Sequence, residues 1–318
     1  MDVLTTPKLP LAEWLSLVER DYLAAFLPAG GAAVKFAILD AGGAGTVAEH
    51  LLRLGRQHAM LTVEVDAGLT RIHLMQDLFV AITRALPWDS LVQRYLEALF
   101  AAHDYAWPRP GSAMAIPDLA AAFAVAPNLL AHRVDRWLTA DLWEDRRLAQ
   151  DFRAALLALC LSHLDGTGWE AAGPVAQWLR GEKVPPAALH AADITARLSR
   201  TNARAMLASL CHFLRKAGTA GLLVVLDARR LSSGAAAEGM FRYSPAAVMD
   251  AYEVLREIID DTERLPGLFL AVLADPELAT GDPRRALSQY AALQMRVWPD
   301  VRPGDRQNPM APLVWLAP

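Results

Sequence analysis

The chain has 318 residues, a formal net charge of −4 and a composition that is 54% hydrophobic and 21% charged, which is typical of a globular protein with one large or two modest domains. This slightly acidic balance excludes a global positive field that attracts nucleic acid. Two cysteines are too few for a disulfide framework, and no uncharged apolar run reaches the roughly 20 residues of a membrane helix, so we expect a cytoplasmic protein without membrane contact.

The first 68 residues predict a helix followed by one strand–helix–strand unit. The helix is expected over residues 11–27 because its apolar positions follow the helical period. Residues 34–39 form a short apolar run, typical of a strand buried on both faces. The glycine-rich turn DAGGAG at 40–45, a helix over 46–57 and a strand over 60–65 follow. This order predicts that the two strands pair in parallel.

A long helical segment separates this unit from the rest of the sheet. The pattern over residues 69–216 is almost wholly helical. Over residues 217–318 strand and helix patterns alternate again. We expect strands over 221–227 and 268–274, helices over 245–260 and 283–296, and a short apolar piece at 313–316. The predicted fold class is therefore α/β, with a sheet domain formed by 1–68 and 217–318 and interrupted by a helical insertion over 69–216.

The glycine turn after the first strand occupies the position of a phosphate-binding P-loop. The working pattern is G-x-x-x-x-G-K-[ST], in which lysine neutralises phosphate charge and the hydroxyl holds Mg²⁺. Here the eight residues run from Asp40 to Val47, with Thr46 at the lysine position and Val47 at the hydroxyl position. Losing one charged hydrogen bond costs about 1.5–3 kcal/mol, so ATP would bind weakly. We predict a vestigial nucleotide site without a resident cofactor, formed by Gly43, Ala44, Gly45, Thr46 and Val47.

The strand over 221–227 carries the second half of such a site in altered form. In an active enzyme, four apolar strand residues precede an Asp that supports Mg²⁺ and a Glu that activates water. Asp227 is retained here, but Ala228 stands where the glutamate belongs. We assign Asp227 to the vestigial site and predict no catalytic residue. The alternative interpretation is that 40–45 is an ordinary strand-to-helix turn and Asp227 an ordinary strand end.

Residues 178–231 resemble the ATP-binding family of BREX-type bacteriophage-defence systems, the BrxC/BrxD-like P-loop proteins. That family shows W-x-x-G-E, then L-x-x-x-L-R-x-x-G, then a strand ending in L-D-E. The positions that fit are Trp178, Gly181, Glu182, Leu210, Leu214, Arg215, Gly218, Gly221 and Asp227. Residues 251–278 and 284–297 and the closing NPMAPLVWL are similar to later family segments, whereas Ala228, Asp275 and Trp315 depart from them.

The resemblance implies an AAA+/ASCE-like P-loop fold, a parallel sheet flanked by helices. With the phosphate-handling residues replaced, it further implies a pseudo-ATPase that acts as scaffold or regulatory partner in anti-phage defence. Its partners would be an active ATPase paralogue, a helicase or a nuclease, in a hetero- or homo-oligomer. Two alternatives stay open: an ATP-binding switch that does not hydrolyse, and a clamp subunit that contacts DNA.

Arginines are the remaining candidates for function. Arg296, near the end of the last predicted helix, is an interface candidate because such an arginine can reach a neighbouring subunit's nucleotide, and Arg284 and Arg285 share this region. Arginines and tryptophans also recur between residues 133 and 153, where DNA contact is one interpretation. Interleaved acidic residues favour an ion-paired helix surface instead. The eight histidines show no metal-ligand spacing, and no nucleophile motif occurs, so we predict no metal site.

Overall fold

The computed structural model describes residues 7–40, 42–166, 172–233, 238–298 and 307–317. It divides into two compact units: Met1–Ile82 with Ala220–Pro318, named here the sheet unit, and Thr83–Thr219, the helical unit. Residues 69–82, placed in the insertion by the sequence, thus belong to the sheet unit. The buried hydroxyl of Tyr243 holds them there, since it donates to Thr70 O (2.6 Å) and accepts from Ile72 N (3.1 Å).

The N-terminal part of the sheet unit follows the predicted order of elements. The predicted first helix begins as α-helix and continues as π-helix, and the predicted strands lie within a residue of their expected bounds. The elements are β1 (Leu9–Pro10), α1 (Leu11–Leu17), a π-helix (Val18–Phe26), β2 (Ala33–Leu39), α2 (Ala44–Gln57), β3 (Leu61–Asp66) and α3 (Met75–Arg84). Two residues are too few to show the alternating pattern of a strand, so the sequence does not predict β1, which pairs with the C-terminal strand.

The regular elements among the described residues of the helical unit are all helices. They are α4 (Trp88–Ala101), α5 (Ile116–Ala122), α6 (Pro127–Leu138), a π-helix (Thr139–Trp143), α7 (Gln150–Leu164), α8 (Gly173–Leu179), α9 (Pro186–His190) and α10 (Arg200–Lys216). Ser199 begins α10 with a capping box, in which the side chains of Ser199 and Asn202 each bond the other's backbone N–H. Buried aromatic rings fill the core of this unit, with Trp88 stacked on Phe213 at 6.3 Å between centroids.

The sheet unit resumes after the helical unit and ends in a strand. Its elements are β4 (Leu222–Asp227), a 3₁₀ turn (Arg229–Leu231), α11 (Pro245–Asp260), a 3₁₀ turn (Thr262–Arg264), β5 (Leu268–Ala274), α12 (Glu277–Thr280), a 3₁₀ turn (Leu287–Gln289), α13 (Ala291–Val297) and β6 (Leu313–Ala317). The prediction of one helix over 283–296 is wrong. Asp282 Oδ1 accepts from Arg284 N (3.0 Å) in a turn, and Arg285 is buried, which interrupts the helix.

All six strands form one parallel sheet in the order β1-β6-β2-β5-β4-β3. The central strands β4 and β5 are apolar along almost their whole length because helices cover both faces. Gly221 precedes β4 with a φ of 155°, and a Cβ there would lie 2.1 Å from Gly267 O. Only glycine therefore allows the two strands to begin side by side.

Two layers of helices bury the faces of the sheet. The helix over 11–26 and α2 pack on one face, where Trp14 and Leu51 join a core with Val225 and Phe269. Side chains alternate along a strand, so the neighbouring residues point to the other face, where α11 contacts β2. In such a sheet the carboxyl ends of the central strands lie at one edge, which is where ligands bind in open α/β folds.

Candidate nucleotide-site crevice

The carboxyl ends of four strands border a crevice at this edge of the sheet. Asp40 follows β2, Asp66 and Asp227 end β3 and β4, and Asp275 follows β5. The two central carboxylates are aligned, since Asp66 is the register partner of Asp227. The cavity measures about 490 Å³ and is lined by Asp40, Gly42, Asp66, Asp227, Arg229, Arg230, Ser233, Met240, Asp275, Pro276 and Glu277. We refer to it below as the crevice.

The glycine turn between β2 and α2 differs in detail from the predicted loop. Gly42 has a φ of +92°, a conformation that favours glycine, and it lines the crevice. Gly43 is the N-cap of α2 with helical angles, and Gly45 lies inside the helix. In this turn the residue whose backbone conformation favours glycine is therefore Gly42, whereas Gly43 and Gly45 have no positive φ.

The two side chains that replace the P-loop lysine and hydroxyl lie in different surroundings. Thr46 is exposed in the first turn of α2, and its carbonyl bonds His50 Nδ1 (2.7 Å). Val47 is 1% exposed and packs in the apolar core with Ala44, which is 2% exposed. Among the described residues that line the crevice, none belongs to the predicted set 43–47. A valine turned into the core offers no ligand to Mg²⁺.

Asp40, which occupies the position of the first P-loop glycine, is neutralised by a distant lysine. Lys8 Nζ lies 2.5 Å from Asp40 Oδ2, and both side chains are partly exposed. The sequence gives no sign of this pair because the partners are 32 positions apart. The ammonium group of Lys8 is therefore paired with the Asp40 carboxylate at the start of the glycine turn.

Both carboxylate oxygens of the retained Asp227 are paired with an arginine two positions further along the chain. Arg229 Nε lies 2.9 Å from Asp227 Oδ1, and Arg229 Nη2 lies 2.6 Å from Asp227 Oδ2. This pair raises the pKa of the Arg229 guanidinium, against the opposing effect of burial. Ala228, at the position of the missing glutamate, is 1% exposed, and its N–H bonds Leu273 O (2.8 Å). Sequence reasoning missed Arg229, whose only signal is its place just after the acidic strand end.

A second pair of acidic side chains lies at the end of β5. Ser232 Oγ donates to Asp275 Oδ1 (2.6 Å). Burial raises the pKa of Asp275, and the neighbouring Glu277 carboxylate adds to this increase, while the Ser232 hydrogen bond opposes it. The net effect favours the neutral form of the Asp275 carboxyl.

The crevice as a whole is acidic. Its lining of five carboxylates against two guanidiniums leaves a formal charge of −3, and Lys8 beside Asp40 reduces this only to −2. The described residues contain no group of three or more His, Cys, Asp or Glu side chains arranged to hold a metal ion. The formal charges therefore give the crevice a negative field.

The C-terminal arginines take part in contacts within the sheet unit. Arg296 Nη2 lies 2.9 Å from Asp260 Oδ2, and the guanidinium holds the pKa of Asp260 below its usual range. Arg284 is exposed and pairs with Asp282. Arg285 is 6% exposed, and its Nη2 donates to Tyr243 O (2.7 Å), so it is a structural cation. The interface role of Arg296 stays a prediction.

Several arginines of the helical unit are paired. Arg147 lies with two contacts of 2.8 Å on Asp145 and lowers the pKa of that carboxyl. Arg153 Nη1 donates to Trp143 O (2.5 Å), and its guanidinium lies 5.3 Å from the centre of the Trp143 ring. Arg147 thus forms an ion pair, whereas Arg153 contacts a carbonyl and an aromatic ring; the ion-paired surface and the DNA contact both stay predictions.

The fold and the crevice together define a protein of the P-loop NTPase-like class. The class rests on a parallel sheet flanked by helices, with a glycine turn after β2 and an aspartate at the end of β4. Residues 124–318, more than half of the chain, match the family described as BREX system ATP-binding protein BrxC/D. The chain therefore belongs to this family, whose description indicates a role in a BREX system.

The matched region contains Asp227 and Arg296 and begins after the glycine turn, so the family assignment does not depend on that turn. Comparison with curated proteins gave no match, and comparison with solved structures gave none either. In the part of the chain that the structure describes, no helix has the length and apolar character needed to cross a membrane.

Proposed function

We propose that this chain is a member of the BREX ATP-binding family that does not hydrolyse ATP and serves as a scaffold or regulatory partner for other proteins of the system. The observation that carries the proposal is the state of Asp227, whose two carboxylate oxygens are held by Arg229. In an active site of this class the same carboxylate supports Mg²⁺. A guanidinium paired with both oxygens would compete with a metal ion for this carboxylate.

The other positions of the site support the same proposal. Hydrolysis needs a base to orient water and a cation to stabilise the transferred phosphoryl group. Ala228 cannot act as a base and is buried, and Thr46 is uncharged. The net negative charge of the crevice opposes binding of the nucleotide itself. On this proposal the retained fold serves to bind other proteins through its surface.

An ATPase assay with Mg²⁺ and double-stranded DNA tests the catalytic part of the proposal. We expect no turnover above about 0.1 s⁻¹, which is below the usual range of enzymes. Asp227→Ala and Arg229→Ala serve as matched controls that separate the chain's own activity from a contaminant. Turnover above that value that disappears in Asp227→Ala would overturn the proposal.

A complex-formation assay tests the scaffold part. The full chain is mixed in turn with each of the other purified proteins of the same BREX system, and mass is measured by light scattering after size exclusion. We expect a defined complex with at least one of them, whether or not ATP is present. No complex with any of them would rule out the scaffold.

A second candidate function is a nucleotide-binding switch without hydrolysis. The observation that favours it is the retained turn at Gly42, which leads into the N-terminus of α2 as in phosphate-binding loops. Calorimetry with ATP distinguishes the two functions. A dissociation constant weaker than about 1 mM removes the switch, whereas tighter binding would favour it.

A further inference from the structure

Exposed apolar side chains are concentrated beside the crevice. Of the nine large apolar side chains that are exposed among the described residues, three lie in two short segments: Leu69 at 64%, Met240 at 46% and Phe241 at 41%. A hydrogen bond from Phe241 N to Gly68 O (2.8 Å) joins the two segments, and Met240 also lines the crevice. Single exposed apolar residues are ordinary, but a group of them at the mouth of a cavity is typical of an interaction surface.

Neighbouring charged residues hold this apolar group in place. The guanidinium of Arg71 lies 5.9 Å from the centre of the Phe241 ring, and Asp77 pairs with Arg71 at 2.8 Å. Arg230 Nε donates to Phe241 O (3.0 Å). These contacts hold Phe241 to its neighbours, which lowers the entropy that this residue loses when a partner covers it.

The charge of the crevice limits what can cover this surface. Asp66 ends β3 one turn before Leu69, and its carboxylate accepts from Gly68 N (2.6 Å). Glu277 lines the same crevice, whose lining carries five carboxylates and two guanidiniums. A cationic side chain is attracted to this net negative charge, whereas a polyanion is repelled.

We propose that Leu69, Met240 and Phe241, together with Asp66 and Glu277 of the crevice, form a docking surface for a protein partner whose binding segment carries an arginine or lysine flanked by apolar side chains. The basic side chain enters the crevice, and its apolar neighbours cover the three exposed side chains. The net negative charge of the crevice disfavours nucleic acids and acidic membranes as its occupants. The inference rests on the proposed scaffold function and names the surface through which it operates.

Binding of the purified BREX proteins to variants of the full chain tests this docking surface. Asp66→Asn with Glu277→Gln removes two charges and keeps the side-chain acceptors, and Leu69→Ser with Phe241→Ser removes apolar area. Met295→Ser, at a methionine of α13 that is 77% exposed, is the matched control. We expect each double variant to weaken the complex about tenfold or more, and the control to change it less than about twofold. Circular dichroism and melting temperature verify that the variants are folded.

The outcomes separate the docking surface from the scaffold function. A complex that forms but is unaffected by both double variants would overturn the docking surface and leave the scaffold function standing. Absence of any complex would overturn both. Tight binding of double-stranded DNA that Leu69→Ser with Phe241→Ser abolishes would replace the protein partner by a nucleic acid and overturn the proposal.

Discussion

Arg229 and Asp227 form a two-contact pair at the carboxyl end of β4, with distances of 2.9 and 2.6 Å between their nitrogen and oxygen atoms. Two-contact pairs between arginine and carboxylate add geometric specificity to the ion pair. This pair engages both oxygens of the aspartate that ends β4. Our proposal that the chain does not hydrolyse ATP rests on it.

Arg229→Ala should have little effect on stability, because both side chains of the pair are partly exposed. We expect the free energy of unfolding to fall by no more than about 1 kcal/mol. Arg285→Ala is the matched comparison, since Arg285 is buried and donates to the carbonyls of Leu231 and Tyr243. Its loss should cost about 2–4 kcal/mol by leaving buried acceptors unsatisfied. Urea unfolding of both variants measures the difference. Equal losses in the free energy of unfolding would contradict the structural role given to Arg285.

Val47→Thr should destabilise the chain, although it restores a hydroxyl to the P-loop pattern. Val47 is packed in the core, so the new hydroxyl would be buried at a cost of about 1–3 kcal/mol. Thr46→Val, at the exposed neighbouring position, should change stability by less than about 0.5 kcal/mol. Thermal and urea unfolding provide the test. A Val47→Thr variant that is as stable as the parent would show that this side chain faces the crevice.

The glycines of the turn should respond in opposite directions to alanine. Gly42→Ala places a Cβ on a residue with a φ of +92°, so we expect a loss of about 1–2 kcal/mol. A Cβ at Gly45 meets nothing within 4 Å, and the residue is helical. Gly45→Ala should therefore stabilise by about 0.5–1 kcal/mol. Unfolding free energies with the same sign for both variants would refute this account of the turn.

The sheet and its main helices could be predicted because their signals are local. The apolar run of β5 predicts the observed bounds, Leu268–Ala274. The helical period of α11 also predicts the observed bounds, Pro245–Asp260, with Ser244 as the N-cap. The helix predicted over 283–296 failed because the burial of Arg285 is a tertiary contact that the helical period does not contain.

The candidate site was only partly predictable for the same reason. Asp227 and the absence of a lysine at Thr46 are visible in the sequence. The pairing of Lys8 with Asp40 depends on the chain bringing together residues 32 positions apart. The crevice lining of Asp66, Met240 and Glu277 combines the ends of different strands with their loops, which no local pattern contains.

Lys35 should make the stability of the sheet unit depend on pH above neutrality. Its side chain is buried on β2, where it donates to Met310 O and Ala311 O (3.1 Å) and lies 4.8 Å from the centre of the Tyr22 ring. Burial lowers the pKa of Lys35 from 10.5 to about 8. Between these two pH values the side chain of Lys35 is protonated in the unfolded chain and neutral in the folded chain. The free energy of unfolding therefore rises with pH across this window. Below the window, this contribution to the free energy of unfolding is lower and does not change with pH.

Lys35→Met removes this dependence, since methionine has a similar length and no proton to release. The difference in unfolding free energy between the parent and Lys35→Met should therefore grow by about 2–3 kcal/mol as the pH rises from near 8 to near 10.5. Urea unfolding at both ends of the window measures it. If the two stability curves run parallel over this range, the buried lysine is not the titrating group.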